Sequence, residues 1–318
     1  MSVQIQRIEK EKQAVDMQNI YKSLQQLQGT GCRVYEENIF TAVAQISKNA
    51  WAFSQMAPDQ REIANFYFIS GPDRAILIDT GYGLGSLKRL IRRLADTDGS
   101  EGTPVIVLNT HYHDDHCGGN AEFTDVRMHP YDLFQYEAER VMDRQMLMQP
   151  YSYFAKEDIQ PAYRGPVKEL SACEVIKLGG DHTIQVFHTP GHTAGGCSFY
   201  DRKNDLLFIG DIFIGISHKA KEQAEYFELK SVEAMLESLQ NMRSVISDTC
   251  RICPGHGSYL CDVSLLEDAA EGCRRILDNP LAASEMHIPV PGGDLTLYRY
   301  EYGQFAMNYM LDAVYRKK

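Results

Sequence analysis

From Thr103 to Asn109 the chain is an apolar, β-branched run, and it passes directly into a dense polar segment. His111, Tyr112, His113, Asp114, Asp115 and His116 place three imidazoles and two carboxylates within six residues. The run reads as a buried strand, and a sheet interior tolerates such polar side chains only at its edge. The fold must therefore bring a strand end to a polar site, where a tight loop can aim several side chains at one centre. Zinc and similar borderline ions take imidazole nitrogen and carboxylate oxygen at about 2.0 to 2.2 Å, so this loop is a candidate metal site. Three shorter fragments also end or follow apolar runs: His188-Thr-Pro-Gly-His192, Phe208-Ile-Gly-Asp211 and Cys253-Pro-Gly-His256-Gly257. Each sets a ligand-capable side chain beside glycine, which permits close backbone approach or positive φ.

The spacing of Ala14, Met17, Ile20, Tyr21, Leu24 and Leu27 predicts an amphipathic helix over 8–28, ended by Gly29 and Gly31. Strands are expected at 41–46, 50–54, 65–69 and 75–78, the last two joined by a Gly71-Pro72-Asp73 turn. A helix follows over 85–95. The stretch from about 130 to 168 carries long side chains and the aromatics Tyr131, Phe134, Tyr136, Tyr151, Tyr153, Phe154 and Tyr163, and is expected to be a helical insertion shaping an apolar substrate region. Strands resume at 173–178, 183–187, 196–200 and 206–209. Helices are expected at 229–243 and 261–278, a short strand at 245–250, an edge strand at 294–300 and a final helix at 304–315. Two series of strands with flanking helices suggest two sheets covered outside by helices. No repeat or composition break calls for a second domain, so 1–318 is read as one unit.

The 32 Lys and Arg against 43 Asp and Glu, net charge −11, do not favour nucleic acid or an anionic membrane as partner. The eight cysteines are too sparse to staple the chain and read as free thiols. The charged N-terminal residues do not resemble a secretion signal, and no stretch reaches about 18 uncharged apolar residues. A soluble cytoplasmic protein is the expectation, with terminal helices compatible with a homodimer.

The order of these fragments resembles the metallo-β-lactamase superfamily, whose His-x-His-x-Asp-His pattern is followed by isolated His, Asp and His. The matching residues are His111, His113, Asp115, His116, His192, Asp211 and His256, and Asp79 in Ile78-Asp79-Thr80-Gly81 matches the family's first motif. The resemblance covers about residues 40–260. It implies an α/β protein, an αβ/βα four-layer sandwich of two mixed sheets with outer helices, followed by an extension over 261–318. It also implies two divalent metal ions, zinc before iron or manganese. The first would be held by His111, His113 and His192, the second by Asp115, His116 and His256, with Asp211 bridging.

Such a pair lowers the pKa of a bridging water and polarises a substrate oxygen. Asp115 would orient the hydroxide and shuttle a proton, while Tyr112, Tyr259 or a backbone N–H would stabilise an oxyanion. Asp79, and less directly His188, would support the ligands from behind. Asp115, His116 and Asp211 are more similar to the thioesterase and lactonase branches than to the lactamase branch, which has cysteine at the second metal. The expected function is hydrolysis of a small ester, thioester or lactone, with a small-molecule acyl substrate. The alternatives are phosphodiesterase or β-lactamase activity at the same site, or a metal-containing ligand-binding or regulatory protein with little turnover.

Overall fold

Alternate side chains along a strand point to opposite faces, and here they divide between an inner and an outer apolar layer. The computed structural model describes residues 22, 31–58, 62–98, 102–140, 144, 154–215, 226–290 and 293–316. The helix expected over 8–28 (apart from Lys22), Tyr151, Tyr153 and the basic run His218, Lys219 and Lys221 lie outside them.

The first sheet follows chain order through β1 (Arg33–Tyr35), β2 (Asn38–Ser47), β3 (Ala50–Met56), β4 (Ile63–Ile69), β5 (Ala75–Ile78), β6 (Val105–Leu108), β7 (Val126–Met128) and β8 (Val167–Glu169). It is antiparallel as far as β5 and parallel from there on. In the second sheet β9 (Val175–Gly179), β10 (His182–His188), β11 (Cys197–Asp201), β12 (Leu206–Gly210), β13 (Arg251–Pro254) and β14 (Cys261–Asp262) are neighbours in that order, only β12 and β13 being parallel.

Ala52, Tyr67, Ile76, Ile78 and Leu108 of the first sheet meet Ile184, Val186, Phe199 and Phe208 of the second in one buried cluster. On the outer face, Phe53, Phe66, Phe68, Leu77 and Val107 pack against Leu87, Leu90, Ile91 and Leu94 of α1 (Leu87–Asp98). That i, i+3, i+4, i+7 spacing makes one apolar helix stripe. Glu122 accepts from the Leu87 and Lys88 amides at its start, where the helix dipole favours an anion. The second sheet turns Tyr200, Leu207, Ile209 and Ile252 toward α3 (Val232–Arg243) and α4 (Ser264–Asp278). The result is helix, sheet, sheet, helix, as expected. Among the described residues no helix is long and apolar enough to cross a membrane.

Four local expectations need correction. Residues 304–315 do not form one α-helix: β17 (Phe305–Tyr309) is the third strand of a small sheet with β15 (Ser284–Val290) and β16 (Gly293–Tyr302), and only Leu311–Ala313 makes a short 3-10 turn. Phe305, Met307 and Tyr309 alternate inward at period 2, and Gly303 takes φ 55° in the tight turn before them. A Cβ on Gly272 of α4 would sit 2.4 Å from the Phe305 ring, so that glycine makes room for the strand. The strand expected near 294–300 is consequently the centre of this sheet and not an edge. Residues 245–250 are a turn, pinned by Ser247 and Thr249 hydroxyls donating to Asp205. The segment 130–168 is helical in α2 (Pro130–Glu139), but Val167–Glu169 joins the first sheet beside β7.

Candidate metal centre

The site lies where parallel strands end. Asp79 follows β5; Thr110 and His111 follow β6; Asp211 follows β12; His256 follows β13. The β10–β11 connection contributes His192. The carboxyl ends of strands form the crevice in which α/β sheets place ligands. Strand β4 holds the His256 loop: the Asn65 amide donates to Gly255 O (2.6 Å), its side-chain amide to Gly257 O (3.1 Å), and the Tyr67 hydroxyl to Pro254 O (2.7 Å).

Two ligand groups result, His111, His113, His192 and Asp211 in one, and Asp115, His116, His256 and Asp211 in the other. Within each, the ligand atoms lie within 4.8 Å of one another. His113 Nδ1 is 2.9 Å from His111 Nε2 and 3.0 Å from His192 Nε2, and Asp211 Oδ2 is 3.8 and 3.9 Å from those two Nε2 atoms. In the second group His256 Nε2 is 3.1 Å from Asp115 Oδ2, 3.2 Å from Asp211 Oδ2 and 3.4 Å from His116 Nε2. His116 Nε2 lies 3.5 Å from Asp115 Oδ2 and 3.4 Å from Asp211 Oδ2. Tetrahedral bonds of about 2.0 to 2.1 Å separate neighbouring ligand atoms by roughly 3.3 Å, so both groups have the span of a metal shell.

The imidazoles are oriented from behind. His116 Nδ1 donates to Asp79 Oδ2 (2.8 Å), His256 Nδ1 to Ile63 O (2.9 Å) and His192 Nδ1 to Gly215 O. His111 Nδ1 faces Thr110 Oγ1 (3.0 Å), which itself donates to Asp79 Oδ2 (2.7 Å). Each of these four rings therefore turns its Nε2 lone pair to the centre, and the partner fixes the tautomer. Asp79 also accepts from the Thr110 amide (2.7 Å), and it takes φ 62° to reach all of these donors.

Electrostatics separates the two groups. Burial holds His111 and His192 below the ordinary imidazole value and His113 at about 3, so the first group is neutral imidazole beside one carboxylate. In the second, burial disfavours charge, but Asp211 and Asp115 overcome it and raise His116 well up and His256 to about 10. The same contacts hold Asp115 and Asp211 well below the usual carboxylate range despite their burial. Protons and a divalent cation compete here for the same lone pairs.

Two observations test whether a cation fits. Asp211 Oδ1 is buried and, among the described residues, has no hydrogen-bond partner, a costly state for a carboxylate whose charge a cation beside its Oδ2 offsets. A Cβ on Gly255 would lie 2.2 Å from that oxygen and 2.9 Å from His116 Cε1, so the glycine preserves room beside the bridge position. The donor set, five imidazoles and two carboxylates, suits a borderline divalent ion.

The residues around the two groups make contacts of their own. The Tyr259 hydroxyl hydrogen-bonds with Cys32, and its backbone oxygen accepts from the Tyr67 hydroxyl (3.1 Å). Tyr112 is 4% exposed, packs in the outer core and sets its ring edge-on to His113 at 4.6 Å. The His188 ring stacks on His129 at 4.1 Å and its Nε2 donates to Ala194 O. Asp114 is mostly exposed and pairs with the buried Arg144. Cys117 donates its Sγ–H to His111 O (3.3 Å), and Cys253 is buried between the sheets. Sequence reasoning missed Thr110 and Asp132. Thr110 abuts His111 in the chain, which was an available signal; Asp132 reaches the site only through folding.

Residues 60–256 match the metallo-beta-lactamase superfamily. The chain is 30% identical over 206 residues to the acyl-coenzyme A thioesterase MBLAC2 of Gallus gallus, covering 61% of this chain and 72% of that protein. It spans 58% of the relatives of that name from Bos taurus and Homo sapiens. With the atrochrysone carboxyl ACP thioesterase nsrC of Aspergillus novofumigatus it shares 25% identity over 200 residues, 63% of this chain and 50% of that one. A solved metallo-beta-lactamase from Pontibacter korlensis aligns with a TM-score of 0.53 at 18% identity, over 74% of this chain and 99% of that one, a likeness of fold. With matched sequence over more than half its length, and the fold and donor set to accompany it, this chain belongs to the metallo-β-lactamase superfamily, a family of metal-dependent enzymes.

Proposed function

We propose that this protein hydrolyses acyl thioesters with two divalent ions, zinc in the native enzyme, held by one catalytic unit. His111, His113 and His192 would hold the first ion, Asp115, His116 and His256 the second, and Asp211 would serve both. The observation that carries this reading is that one oxygen, Asp211 Oδ2, stands within 3.9 Å of the Nε2 atoms of His111, His192, His116 and His256. The thioesterase names of the relatives from Gallus gallus and Aspergillus novofumigatus support the choice of bond.

When bound, the ions supply a Lewis acid for the thioester carbonyl and hydroxide near neutral pH. The two carboxylates divide the remaining work by exposure. Asp211, with a side chain 5% exposed, stays anionic and fixes the spacing of the two groups. Asp115, with a side chain 21% exposed, is the more accessible of the two, and in this reading its carboxylate orients the attacking water and accepts its proton. Asp79 and Thr110 keep His116 and His111 in the tautomer the site needs. Tyr131 stacks on Tyr226 at 4.0 Å and stands edge-on to His188, beside the loop that bears His192. This aromatic pair forms an apolar wall for the acyl chain.

Zinc-loaded wild type and Asp115→Asn are compared on acyl-coenzyme A thioesters of graded chain length and on matched oxygen esters and lactones, with released thiol or acid as the readout. Thioesters are expected to turn over fastest, and Asp115→Asn to lower kcat by roughly 10²- to 10⁴-fold with KM little changed. Faster turnover of a lactone, or no turnover with both ions bound, overturns the reading.

A further inference from the structure

Asp132, in the first turn of α2, is 1% exposed. A carboxylate so buried is tolerated only when hydrogen bonds replace its water. Its Oδ2 accepts from the Thr193 hydroxyl (2.8 Å) and its Oδ1 from the Gly195 amide (2.7 Å), both on the connection that carries His192. It also accepts from the backbone of Tyr112, the residue between His111 and His113. One carboxylate thus ties together the two loops that present three imidazoles to one centre.

The fit is close. A Cβ on Gly195 would lie 2.6 Å from the Asp132 nitrogen and 2.7 Å from its Cγ, so the loop approaches α2 as nearly as its backbone allows. An independent contact holds the same pieces three residues earlier, at the N-cap of the helix. His129 accepts from the Tyr131 amide at the start of α2 (3.3 Å), and its ring lies parallel to that of His188 at 4.1 Å. The buried Lys230 supplies countercharge to Asp132. The segment expected to be a helical insertion shaping the substrate region is, at its amino end, the backing of the site.

We propose that Asp132 is a positioning residue for the His111, His113 and His192 group, setting the separation of the two loops and hence the affinity for the ion they hold. Among the described residues its hydrogen bonds run to Thr193, Gly195 and Tyr112 and not to a ligand side chain, so it acts through them. The inference rests on reading those histidines as one ion's ligands, but it needs no particular substrate. An amide at this position would turn an NH₂ toward groups that are themselves donors, so Asp132→Asn removes acceptance at little change in volume. Outer partners of metal ligands typically govern affinity by about 10- to 100-fold.

The test is a zinc titration of the full chain against a competing chelator, with melting of the metal-free protein followed in parallel. Asp132→Asn is expected to weaken one of the two zinc dissociation constants by about 10- to 100-fold and to leave the other nearly unchanged, while the loss of a buried hydrogen-bonded carboxylate lowers the metal-free melting temperature. The affected ion should be the one lost in His192→Ala, not the one lost in His256→Ala. Thr193→Val should shift the same constant less, and Thr193→Ser should restore it, a comparison that decides the matter if Asp132→Asn fails to fold. Unchanged constants, or equal weakening of both ions, overturn the proposal. Wild type that binds no zinc overturns both this inference and the two-ion reading, whereas wild type with two ions and unshifted variants overturns this inference alone.

Discussion

Replacing Asp79 by Asn isolates the charge behind the second ligand group. Asp79 has φ 62°, a region that Asn also adopts readily, so the substitution adds little backbone strain. The amide oxygen can keep the bond from the Thr110 amide. Its NH₂ then stands where Oδ2 accepts from His116 Nδ1 at 2.8 Å and from Thr110 Oγ1 at 2.7 Å. Donor faces donor, and His116 relieves the conflict by placing its proton on Nε2, which withdraws that lone pair from the centre. A hydrogen bond to a charged group contributes about 1.5–3 kcal/mol. The His116 bond alone, taken near the upper end, corresponds to about 100-fold in affinity at 1.4 kcal/mol per tenfold. Chelator competition on Asp79→Asn should show this loss for the ion of the Asp115, His116 and His256 group, with the first ion less affected. Equal affinity for both ions in wild type and variant would refute the tautomer argument.

Three other outcomes follow from the same geometry. Gly255→Ala places a methyl 2.2 Å from Asp211 Oδ1, so the carboxylate must shift; metal content and kcat should both fall, kcat by roughly 10²-fold, as elemental analysis and steady-state kinetics would show. Tyr259→Phe should leave kcat and KM as they are, because its hydroxyl faces Cys32; a large fall in kcat would place that hydroxyl in the reaction. In metal-free protein Asp211 and Asp115 raise His256 to about 10 against the opposing effect of burial. A raised folded-state value gives stability that is full below the unfolded value of about 6.5 and is lost as pH rises through about 10. Thermal melting with chelator should therefore decline toward pH 10, and zinc should diminish the decline while binding more tightly as pH rises.

The strands bordering the site were legible because buried β-runs such as Ala75–Ile78 and Leu206–Gly210 are apolar throughout and end abruptly in polar loops. The two histidine and aspartate groups were legible for the same reason, since imidazoles and carboxylates beside glycine at a strand end have few structural uses. What escaped was set by tertiary context. Residues 304–315 carry enough apolar side chains to suggest a helix, yet Phe305, Met307 and Tyr309 bury on one face of a strand against α4. Gly303 at the preceding turn was the signal for the strand. Tyr259 adjoins His256 in the chain, but the backbone turn carries its hydroxyl to Cys32. Asp132 has no spacing relation to His192; only the packing of α2 on the β10–β11 connection makes them neighbours.

Metal stoichiometry tests the central claim most directly. Elemental mass spectrometry on protein purified without chelator, and again after controlled zinc reconstitution, should give two ions per chain, with Asp211→Ala losing both because each group uses Oδ2 of that residue. One ion or none in reconstituted wild type, or two ions retained by Asp211→Ala, would contradict a shared two-metal centre.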